Sequence, residues 1–587
     1  MNPSRPLRPL LAGAALAAAL AAAAPAIAAP AQSAAVDEGS SSALAAALRA
    51  RLDGDRSGAC WAAALIDGER VQRAFACVDP RQAARIGPDA AFEIGSISKT
   101  MTAALLAELI RAGRASLDDP LADYLPAGAR VPAFEGRPIR LRDVVTHRSG
   151  LPALPPGVAL DPADPYARLD IATLVGALAK VELSAPPGRD FAYSNYAMML
   201  LSYAVAHRAG TDYETLLRQG LLQPLGMRGA YVDRAPEGVR AVAGRLPNGQ
   251  ATPAWRFGAD LAGVGGVRAT LDDMVRYAQA GLAREAAPGE GAIAAVQRTL
   301  QPLPGQPPMG MNWMLLEHGG RTLAEHAGGT GGFSSYLALD RARGRAVVVL
   351  SDTSLSATGG LAGFGRHLLD PDFPAERARK AATPDAALLD RLAGDYSLAG
   401  LPTTLRRRGG ALTVQAQGQP EFELGYDDHG DFYPLQFDAL LRPLRGADGR
   451  YGFVWNQGGG SVAAQRSAPA ATSVPAEAGS SKAVPSKAVP FKAASAKAAP
   501  APATQRLGDF VGDYPLAPGF VLSIGERDGA LYAQATGQGA LRLLADGADG
   551  FRTEGVDARI AFERGSDGKI AGLTLHQNGQ AIHAPRR

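Results

Sequence analysis

The sequence has little excess charge and few aromatic residues. Its 587 residues carry a formal net charge of only +3, and Phe, Trp and Tyr make up 6% of the chain. Proteins that bind nucleic acid usually present a basic surface and aromatic stacking platforms, so the composition argues against a nucleic-acid partner. Charged residues at 20% and hydrophobic residues at 47% are instead typical of soluble globular domains, and the length predicts two to four of them.

Cysteine occurs only twice, as Cys60 and Cys77. The two residues end a predicted hairpin, 60–66 with 71–77, and a two-residue turn at Gly68-Glu69 places them directly opposite each other in a non-hydrogen-bonded pair. We expect a cross-strand disulfide, which an exported protein keeps oxidised. Two buried free thiols are the alternative.

The apolar run near the N-terminus is too short and too rich in alanine to be a convincing membrane span. Arg5 and Arg8 precede this run, which extends from Leu10 to Ala24, and Ala26-Ile27-Ala28 follows it. A basic start, an apolar stretch and an A-x-A site in this order are typical of a secretory signal peptide. We predict that residues 1–28 are removed on export, to the periplasm if the source is Gram-negative and otherwise to the medium. No membrane span would remain in the mature chain.

The stretch 92–100 places Ser96 three residues before Lys99 at the start of a helical pattern. Residues i and i+3 share a helix face, so the serine hydroxyl and the lysine amine can touch. A serine nucleophile needs a nearby base, and burial can hold a lysine neutral enough to be that base. Alone, this spacing is a weak signal, because a second copy at Ser566–Lys569 fits a turn between strands.

Two later segments carry residues that suit the same cleft. Tyr193-Ser194-Asn195 ends a proline-rich loop; its phenol can share a proton with a serine and its amide can bind lysine and substrate, although a helix cap at Asn195 is the alternative. A predicted hairpin, 313–317 with 321–326, leads into His326-Ala327-Gly328-Gly329, whose glycines let a substrate backbone approach closely. The glycine-dense segment 258–266 also predicts backbone close to a cleft or to another helix.

His147 is a further candidate for proton transfer. It lies at the end of a short predicted helix, in Thr146-His147-Arg148-Ser149-Gly150. Histidine titrates near neutral pH and can therefore act as a base. Its place beside Ser149-Gly150 favours a turn-stabilising role instead.

The ordered motifs Ser96-x-x-Lys99, Tyr193-x-Asn195 and His326-x-Gly328 resemble those of the serine β-lactamase and penicillin-binding DD-peptidase superfamily, in particular its class C β-lactamase-related branch. The resemblance extends over roughly residues 43–369. It implies an α/β (α+β) fold, in which an antiparallel sheet is flanked by helices and joined by a helical subdomain.

The resemblance also implies roles for single residues. Ser96 would be the acylated nucleophile, and Lys99 and Tyr193 would form a proton relay in which Lys99 keeps Tyr193 acidic. Asn195 would orient Lys99 and the substrate, while His326, Gly328 and Gly329 would form the substrate-binding edge. The N–H groups of Ser96 and Gly329 would form an oxyanion hole. Histidine in place of a lysine in the third motif is a weaker anchor for a substrate carboxylate.

Together these residues predict an exported serine hydrolase that acts through an acyl-serine intermediate, without a metal or a cofactor. The expected substrates are D-amino-acid peptides, peptidoglycan-type amides or β-lactams, and peptidoglycan itself is a further candidate partner. One alternative is a carboxylesterase that uses the same Ser96–Lys99–Tyr193 site. The other is a catalytically weak protein that binds the cell wall.

The C-terminal third alternates apolar and polar residues between glycine-rich turns, a pattern typical of β structure. Ala393-Gly394-Asp395-Tyr396 matches Val511-Gly512-Asp513-Tyr514 at an offset of 118, which predicts two copies of one module. These modules resemble the lipocalin-like appendages of D-aminopeptidase-type relatives. The predicted domains are thus a hydrolase at 36–380, small all-β modules at 386–466 and 505–587, and between them a flexible Ala/Pro/Ser/Lys linker at 467–504.

Overall fold

The computed structural model describes most of the chain from residue 38 onwards. The described residues are 38–161, 163–284, 291–398, 400–445, 450–458, 460–467, 507–517, 520–527, 529–535, 541–547, 549–553, 558–565, 567–577 and 580–586. The predicted signal peptide, Ser566 of the second S-x-x-K copy and all of the predicted linker except Ser467 lie outside these residues.

The secondary-structure elements are named here in chain order. The helices are α1 (Glu38–Leu52), α2 (Ser98–Arg111), α3 (Leu141–Val145), α4 (Ile171–Leu178), α5 (Asn195–Ala209), α6 (Tyr213–Leu217), α7 (Leu271–Leu282), α8 (Gly291–Thr299), α9 (Ala362–Leu369) and α10 (Ala386–Leu392). The strands before α10 are β1 (Cys60–Asp67), β2 (Arg70–Cys77), β3 (Ala90–Glu93), β4 (Ala133–Phe134), β5 (Arg137–Pro138), β6 (Arg240–Ala241), β7 (Arg268–Ala269), β8 (Met314–His318), β9 (Arg321–Gly329), β10 (Ser334–Asp340) and β11 (Arg345–Ser351). The strands after α10 are β12 (Gly394–Leu398), β13 (Leu401–Arg408), β14 (Ala411–Ala416), β15 (Phe422–Tyr426), β16 (Phe432–Pro434), β17 (Ala439–Arg445), β18 (Tyr451–Gln457), β19 (Gly460–Arg466), β20 (Gly512–Ala517), β21 (Phe520–Arg527), β22 (Ala530–Ala535), β23 (Leu541–Ala545), β24 (Gly550–Thr553), β25 (Ala558–Arg564), β26 (Ile570–Gln577) and β27 (Gln580–Pro585).

The main sheet has six antiparallel strands in the order β2-β1-β11-β10-β9-β8. Its central strands are covered on both faces, which explains why β11 is a continuous apolar run rather than an alternating one. Val347 and Val349 belong to the core that includes α1 and α9, whereas Val348 and Leu350 belong to the core that includes α2, α5 and α7. The helices therefore form a layer on each side of the sheet, and the predicted fold class is confirmed.

Helix α2 is the centre of the larger core. Eleven of its fourteen residues are buried, so it is enclosed rather than amphipathic. It packs against α8 on one side and against α5 and α6 of the helical part on another. This enclosure fixes the direction in which the start of α2 points.

The β1–β2 hairpin has the register that its turn length predicts. Cys60 lies opposite Cys77, and the two sulfurs are bonded to each other. Cys60 is fully buried and Cys77 is 9% exposed. The disulfide therefore closes the open end of the hairpin beneath the packed surface.

The strands after α10 form two similar sheets. Strands β12–β19 close a barrel in which β12 pairs with β19, and β20–β27 form an antiparallel sheet of eight strands in sequential order. Each begins with the same device, since Tyr396 Oη donates to Leu392 O at 2.7 Å and Tyr514 Oη donates to Phe510 O at 2.8 Å. The shared construction agrees with the internal repeat, and the two all-β modules of the predicted fold class are confirmed.

The first barrel contacts the preceding part of the chain through buried charges. Asp427 of the barrel accepts from Arg56 Nε at 3.1 Å and from Arg379 Nη1 at 3.0 Å. Asp438 accepts from the hydroxyls of Ser354 and Ser356, each at 2.8 Å.

Among the helices of the described ranges, none has the length and apolarity that crossing a bilayer would require.

Candidate active site

Ser96 lies in a tight turn between β3 and α2. The sequence predicts that the helix begins at Ser96, but residues Gly95–Ile97 form a 3₁₀ turn and the α-helix begins at Ser98. Gly95 has a φ of +51°, and a Cβ there would lie 2.6 Å from Gly329 N, so only glycine fits this position. The amide of Ser96 is in the first turn of a helix and has no preceding helical carbonyl to bind. The serine is half-buried, with its amide available for an incoming oxygen.

Lys99 supplies a buried amine beside this serine. Its Nζ lies 2.7 Å from Ser96 Oγ and donates to Val264 O at 2.7 Å. The residue is fully buried, and this burial holds the pKa of its ammonium well below the ordinary value. The lowered pKa favours the amine form of Lys99, whose lone pair can accept a proton from Ser96.

Tyr193 completes a three-residue group with Ser96 and Lys99. Its phenol interacts with Ser96, and its ring centroid lies 5.1 Å from Lys99 Nζ. Although 38% of the residue is exposed, burial around the phenol oxygen raises its pKa above the ordinary value. The pKa of the Tyr193 phenol is thus raised, whereas the sequence-based expectation was that Lys99 keeps it acidic. Burial disfavours both the ammonium and the phenolate, so it favours the neutral form of each group.

Asn195 is oriented differently from the expectation. It is the first residue of α5, and the helix cap is Ser194, whose Oγ accepts from Ala197 N at 2.9 Å. Asn195 Nδ2 donates to Tyr166 Oη at 3.0 Å rather than binding Lys99, and its Oδ1 is buried without a partner among the described residues. The amide is thus held by a tyrosine, and its oxygen remains able to accept a hydrogen bond.

The end of β9 forms an open edge beside the Ser96 turn. Strand β8 pairs with β9 only up to Glu325, whereas β10 pairs with it as far as Gly329. Residues 326–329 therefore have a neighbouring strand on one side, and the other side can take an extended backbone. A Cβ at Gly328 would collide with Ile94 O and Ser335 Oγ, so glycine lets the strand lie against the turn.

His326 is a buried, neutral residue of this edge. It is 6% exposed, and its Nδ1 lies 2.6 Å from Ala327 O, which can only accept a hydrogen bond. Burial is the main cause that lowers the pKa of the His326 imidazole to about 4. His326 therefore offers no positive charge to a substrate at neutral pH.

Sequence reasoning did not single out Tyr166, which shapes one wall of the site. Its ring stacks on Phe257 with centroids 5.0 Å apart and meets Trp255 edge-on at 5.4 Å. No local spacing connects Tyr166 with Asn195, so their contact could not be predicted. The glycine-dense segment 258–266 was a usable signal, because it supplies the carbonyl of Val264 that binds Lys99.

One group of described residues brings metal-ligand atoms together, away from Ser96. His318, Asp370 and Asp372 each offer one ligand atom, and these atoms lie within 4.8 Å of one another. Asp370 is already bound by Arg321 and Arg343. Two guanidinium groups on the same carboxylate oppose a cation there, so the group is an ion-pair cluster.

Known proteins are similar to this chain over the region that contains the site. A family model described as "Beta-lactamase" matches residues 44–369, and one for a domain of unknown function matches residues 496–584. The D-alanyl-D-alanine-carboxypeptidase/endopeptidase AmpH of Escherichia coli is 31% identical over 291 residues, covering 47% of this chain and 74% of that protein. Penicillin-binding protein 4 of Amycolatopsis lactamdurans is 27% identical, covering 60% of this chain and 93% of that protein. A solved beta-lactamase/D-alanine carboxypeptidase from Yersinia pestis is 28% identical with a TM-score of 0.44, covering 51% of this chain and 89% of that one.

Proposed function

The chain belongs to the beta-lactamase family of serine hydrolases, and from this premise we propose that Ser96 is the residue it acylates. The observation that carries the proposal is the 2.7 Å approach of Lys99 Nζ to Ser96 Oγ. Burial lowers the pKa of Lys99, which makes the amine a base rather than a cation. The serine, its base and the open strand edge lie in one place, as acyl transfer requires.

In the proposed reaction Ser96 Oγ attacks the substrate carbonyl while its proton passes to Lys99 Nζ. The carbonyl oxygen becomes an oxyanion between the N–H groups of Ser96 and Gly329, and Gly329 packs against Gly95, the residue before the serine. When the C–N bond breaks, the leaving nitrogen takes the proton of Tyr193 Oη, and Lys99 returns its proton to the phenolate. Water then attacks the acyl-serine, its proton goes to the same base, and Ser96 is released as the alcohol.

The proposed substrates are D-amino-acid peptides, peptidoglycan-type amides or β-lactams. Two observations support this class. The relative AmpH is named as a D-alanyl-D-alanine carboxypeptidase and endopeptidase. The side of 326–329 that β8 leaves unpaired can pair with an extended peptide backbone. Asn195 Oδ1, which has no partner among the described residues, is an acceptor for a substrate amide.

A carboxylesterase is the second candidate, and His326 is the observation that favours it. With a pKa of about 4 its imidazole is neutral at physiological pH, so it cannot act as a fixed cation for a substrate carboxylate. Substrates without a carboxylate would lose nothing at such a site. Esters and blocked peptides are therefore reasonable substrates for the same Ser96–Lys99–Tyr193 group.

Intact-mass spectrometry after exposure to benzylpenicillin tests the proposal. We expect one added penicilloyl group, located on the peptide that contains Ser96, and none on the Ser96→Ala variant. A Ser202→Ala variant is the matched control, since Ser202 is a buried helix serine whose hydroxyl binds the Asp260 carbonyl. Unlabelled wild-type protein that is nevertheless folded would contradict the proposal and favour the cell-wall-binding alternative.

Substrate screening separates the two catalytic candidates. The purified enzyme would be given nitrocefin, a D-Ala-D-Ala peptide and p-nitrophenyl acetate side by side. Preference for the peptide supports the peptidase, and turnover of the ester alone supports the esterase. The Ser96→Ala variant must lose whichever activity is found.

We also propose that the chain is exported, with cleavage after Ala28. The disulfide between Cys60 and Cys77 supports this, because such bonds persist in oxidising compartments. Mass spectrometry of protein from the periplasmic or culture fraction should give a mature chain beginning at Ala29. A chain of full length in the cytoplasmic fraction would contradict the proposal.

A further inference from the structure

His147 lies beneath the catalytic group in an unusual backbone conformation. It follows α3, is fully buried and has a φ of +54°, in the left-handed region that few residues other than glycine adopt. This conformation turns both its carbonyl and its ring towards the loop that carries Tyr193. The sequence favours a role in its own turn, but most of its polar contacts are with that distant loop.

The contacts of His147 bracket Tyr193. The N–H of Ala192 donates to His147 O at 2.7 Å, and the N–H of Ser194 donates to His147 Nδ1 at 3.2 Å. The two rings also pack against each other, with centroids 4.2 Å apart and planes inclined by 30°. Both backbone neighbours of the phenol and one face of its ring are thus held by a single residue.

The network requires a neutral imidazole. Nδ1 accepts a hydrogen bond from Ser194, so in the neutral ring the proton lies on Nε2, which is buried without a partner among the described residues. Protonation of Nδ1 would put two N–H groups in opposition. Burial is the main cause that holds the pKa of His147 well below its ordinary value, and the charge of the adjacent Arg148 lowers it further.

We propose that His147 is a positioning residue that holds the Tyr193 phenol in place to protonate the leaving group. This inference rests on the proposed function and assigns His147 no contact with the substrate or with Ser96. His147 acts by fixing the position of the loop that carries the phenol, through two hydrogen bonds to the loop backbone and one ring contact with Tyr193. Loss of these points lets the phenol move, and displacement of a catalytic group by about 1 Å can cost about 10²-fold in rate.

Two variants separate the contacts. His147→Asn keeps an acceptor near the position of Nδ1 and tolerates a positive φ, but it removes the ring. His147→Phe keeps a ring under Tyr193 but has no acceptor for Ser194. His207→Asn is the matched control, because His207 also stacks on a tyrosine, Tyr203, with centroids 5.4 Å apart, and it lies exposed on α5 away from Ser96.

Two acylating probes distinguish positioning from general damage. Opening of a penicillin ring breaks a C–N bond and needs a proton on nitrogen, whereas a fluorophosphonate forms an O–P bond to Ser96 and releases fluoride, which needs none. We expect His147→Asn and His147→Phe to slow penicillin acylation about 10- to 100-fold and fluorophosphonate labelling less than about threefold. Equal slowing of both probes, or of neither, would overturn the proposal.

A double-mutant cycle with Tyr193→Phe gives an independent readout. If His147 acts through the phenol, His147→Asn should slow penicillin acylation less than about threefold further once the hydroxyl is gone. The same loss in both backgrounds would overturn the inference while leaving Ser96 as the nucleophile. Failure of both probes to label wild-type protein would instead overturn the proposed function, and the inference with it.

Discussion

Lys99 and Tyr193 show how burial sets the chemistry of single residues. Low dielectric surroundings disfavour an ammonium and a phenolate alike, so one group becomes a proton acceptor and the other remains a donor. Both meet the same serine hydroxyl. The site therefore favours a lysine that accepts a proton beside a tyrosine that keeps its own, which suits the proposed reaction, in which one proton is removed and another is delivered.

The lowered pKa of Lys99 has a consequence for stability. In the folded chain burial holds the pKa of Lys99 well below its ordinary value, whereas in the unfolded chain the pKa takes the ordinary value of 10.5. The unfolded state thus binds more protons, and stability rises with pH up to about 10.5. We predict that Lys99→Met, measured by urea unfolding, is more stabilising relative to wild type at pH 7 than at pH 10, and that it abolishes acylation.

Lys180→Met is the control for that experiment. Lys180 is exposed and lies two residues after the end of α4. Its replacement should therefore change the unfolding free energy by less than about 0.5 kcal/mol at either pH. A Lys99→Met variant whose effect does not depend on pH would contradict the argument. It would mean that the lysine keeps its charge in the folded protein.

The chemistry of the site was predictable only where it is local. Ser96 and Lys99 meet because helical geometry brings residues three apart together, whatever the rest of the fold. The pKa of Tyr193 is raised by burial, which depends on segments distant in sequence, so the spacing of the motifs does not predict the direction of this shift. The contact of Asn195 with Tyr166 and the hold of His147 on Ser194 join loops far apart in sequence, and no spacing records them.

At the level of elements, the site depends on the approach of β9 to the turn that carries Ser96. Ser335 Oγ of β10 donates to Ile94 O at 2.8 Å and fastens the sheet to this turn. Gly328 lies in the same contact, where a side chain would have no room. Gly95, Gly328 and the hydroxyl of Ser335 thus determine how closely the amides of Ser96 and Gly329 approach each other.

We predict that Gly328→Ala separates the strand from the turn. The new methyl group would collide with Ile94 O and Ser335 Oγ, which should cost about 1–3 kcal/mol and slow penicillin acylation about 10²-fold. Gly176→Ala is the matched control, because a Cβ at this exposed position of α4 meets nothing within 4 Å. That variant should be more stable by about 0.4–1 kcal/mol and acylate normally. Normal acylation by Gly328→Ala would count against the oxyanion hole.

The β1–β2 hairpin gives a second prediction for an element. Its disulfide closes a loop with a sequence separation of 17, for which chain entropy predicts about 3 kcal/mol. We expect dithiothreitol to lower the free energy of unfolding of the wild-type protein by that amount, which is measured as a lower urea midpoint. A Cys60→Ala/Cys77→Ala variant should start at the lower midpoint and not respond to the reductant. A reductant effect on the variant, or two reactive thiols in unreduced wild type, would contradict the prediction.

The fold was predictable where a short turn fixes the pairing. The β1–β2 register follows from the residues of one turn, and the predicted hairpin 313–326 corresponds to β8 and β9. The hairpin pattern does not predict that β9 extends beyond β8, because residues 326–329 pair with β10 instead. The barrel closes where β12 pairs with β19, which joins residues about seventy apart in sequence. The internal repeat and the alternation of apolar and polar residues therefore predict β structure but do not predict that the sheet closes into a barrel.

For the whole molecule, the first barrel is joined to the hydrolase rather than merely tethered to it. Asp438 accepts from Ser354, Ser356 and the amide of Ala357, in the segment that follows β11 of the main sheet. Arg379 binds both Asp427 and Asp431 of the barrel. We propose that the predicted boundary between 380 and 386 separates two domains that unfold together, since buried ion pairs cross it.

Asp427→Asn tests this coupling. Asp427 is fully buried and pairs with Arg56 and Arg379, so removal of its charge breaks the Arg56 ion pair and leaves Arg379 paired with Asp431. Breaking a buried pair in this way should cost about 3 kcal/mol, and the barrel should then melt separately from the hydrolase. Calorimetry should show one shared transition for the two domains in the wild type and two in the variant.

The control is Asp549→Asn, which breaks the half-exposed pair with Arg564 in the second sheet and should change stability by less than about 1 kcal/mol. If Asp427→Asn were equally mild, the junction would be held by its apolar and hydroxyl contacts, and Asp438 would be the residue that couples the barrel to the main sheet.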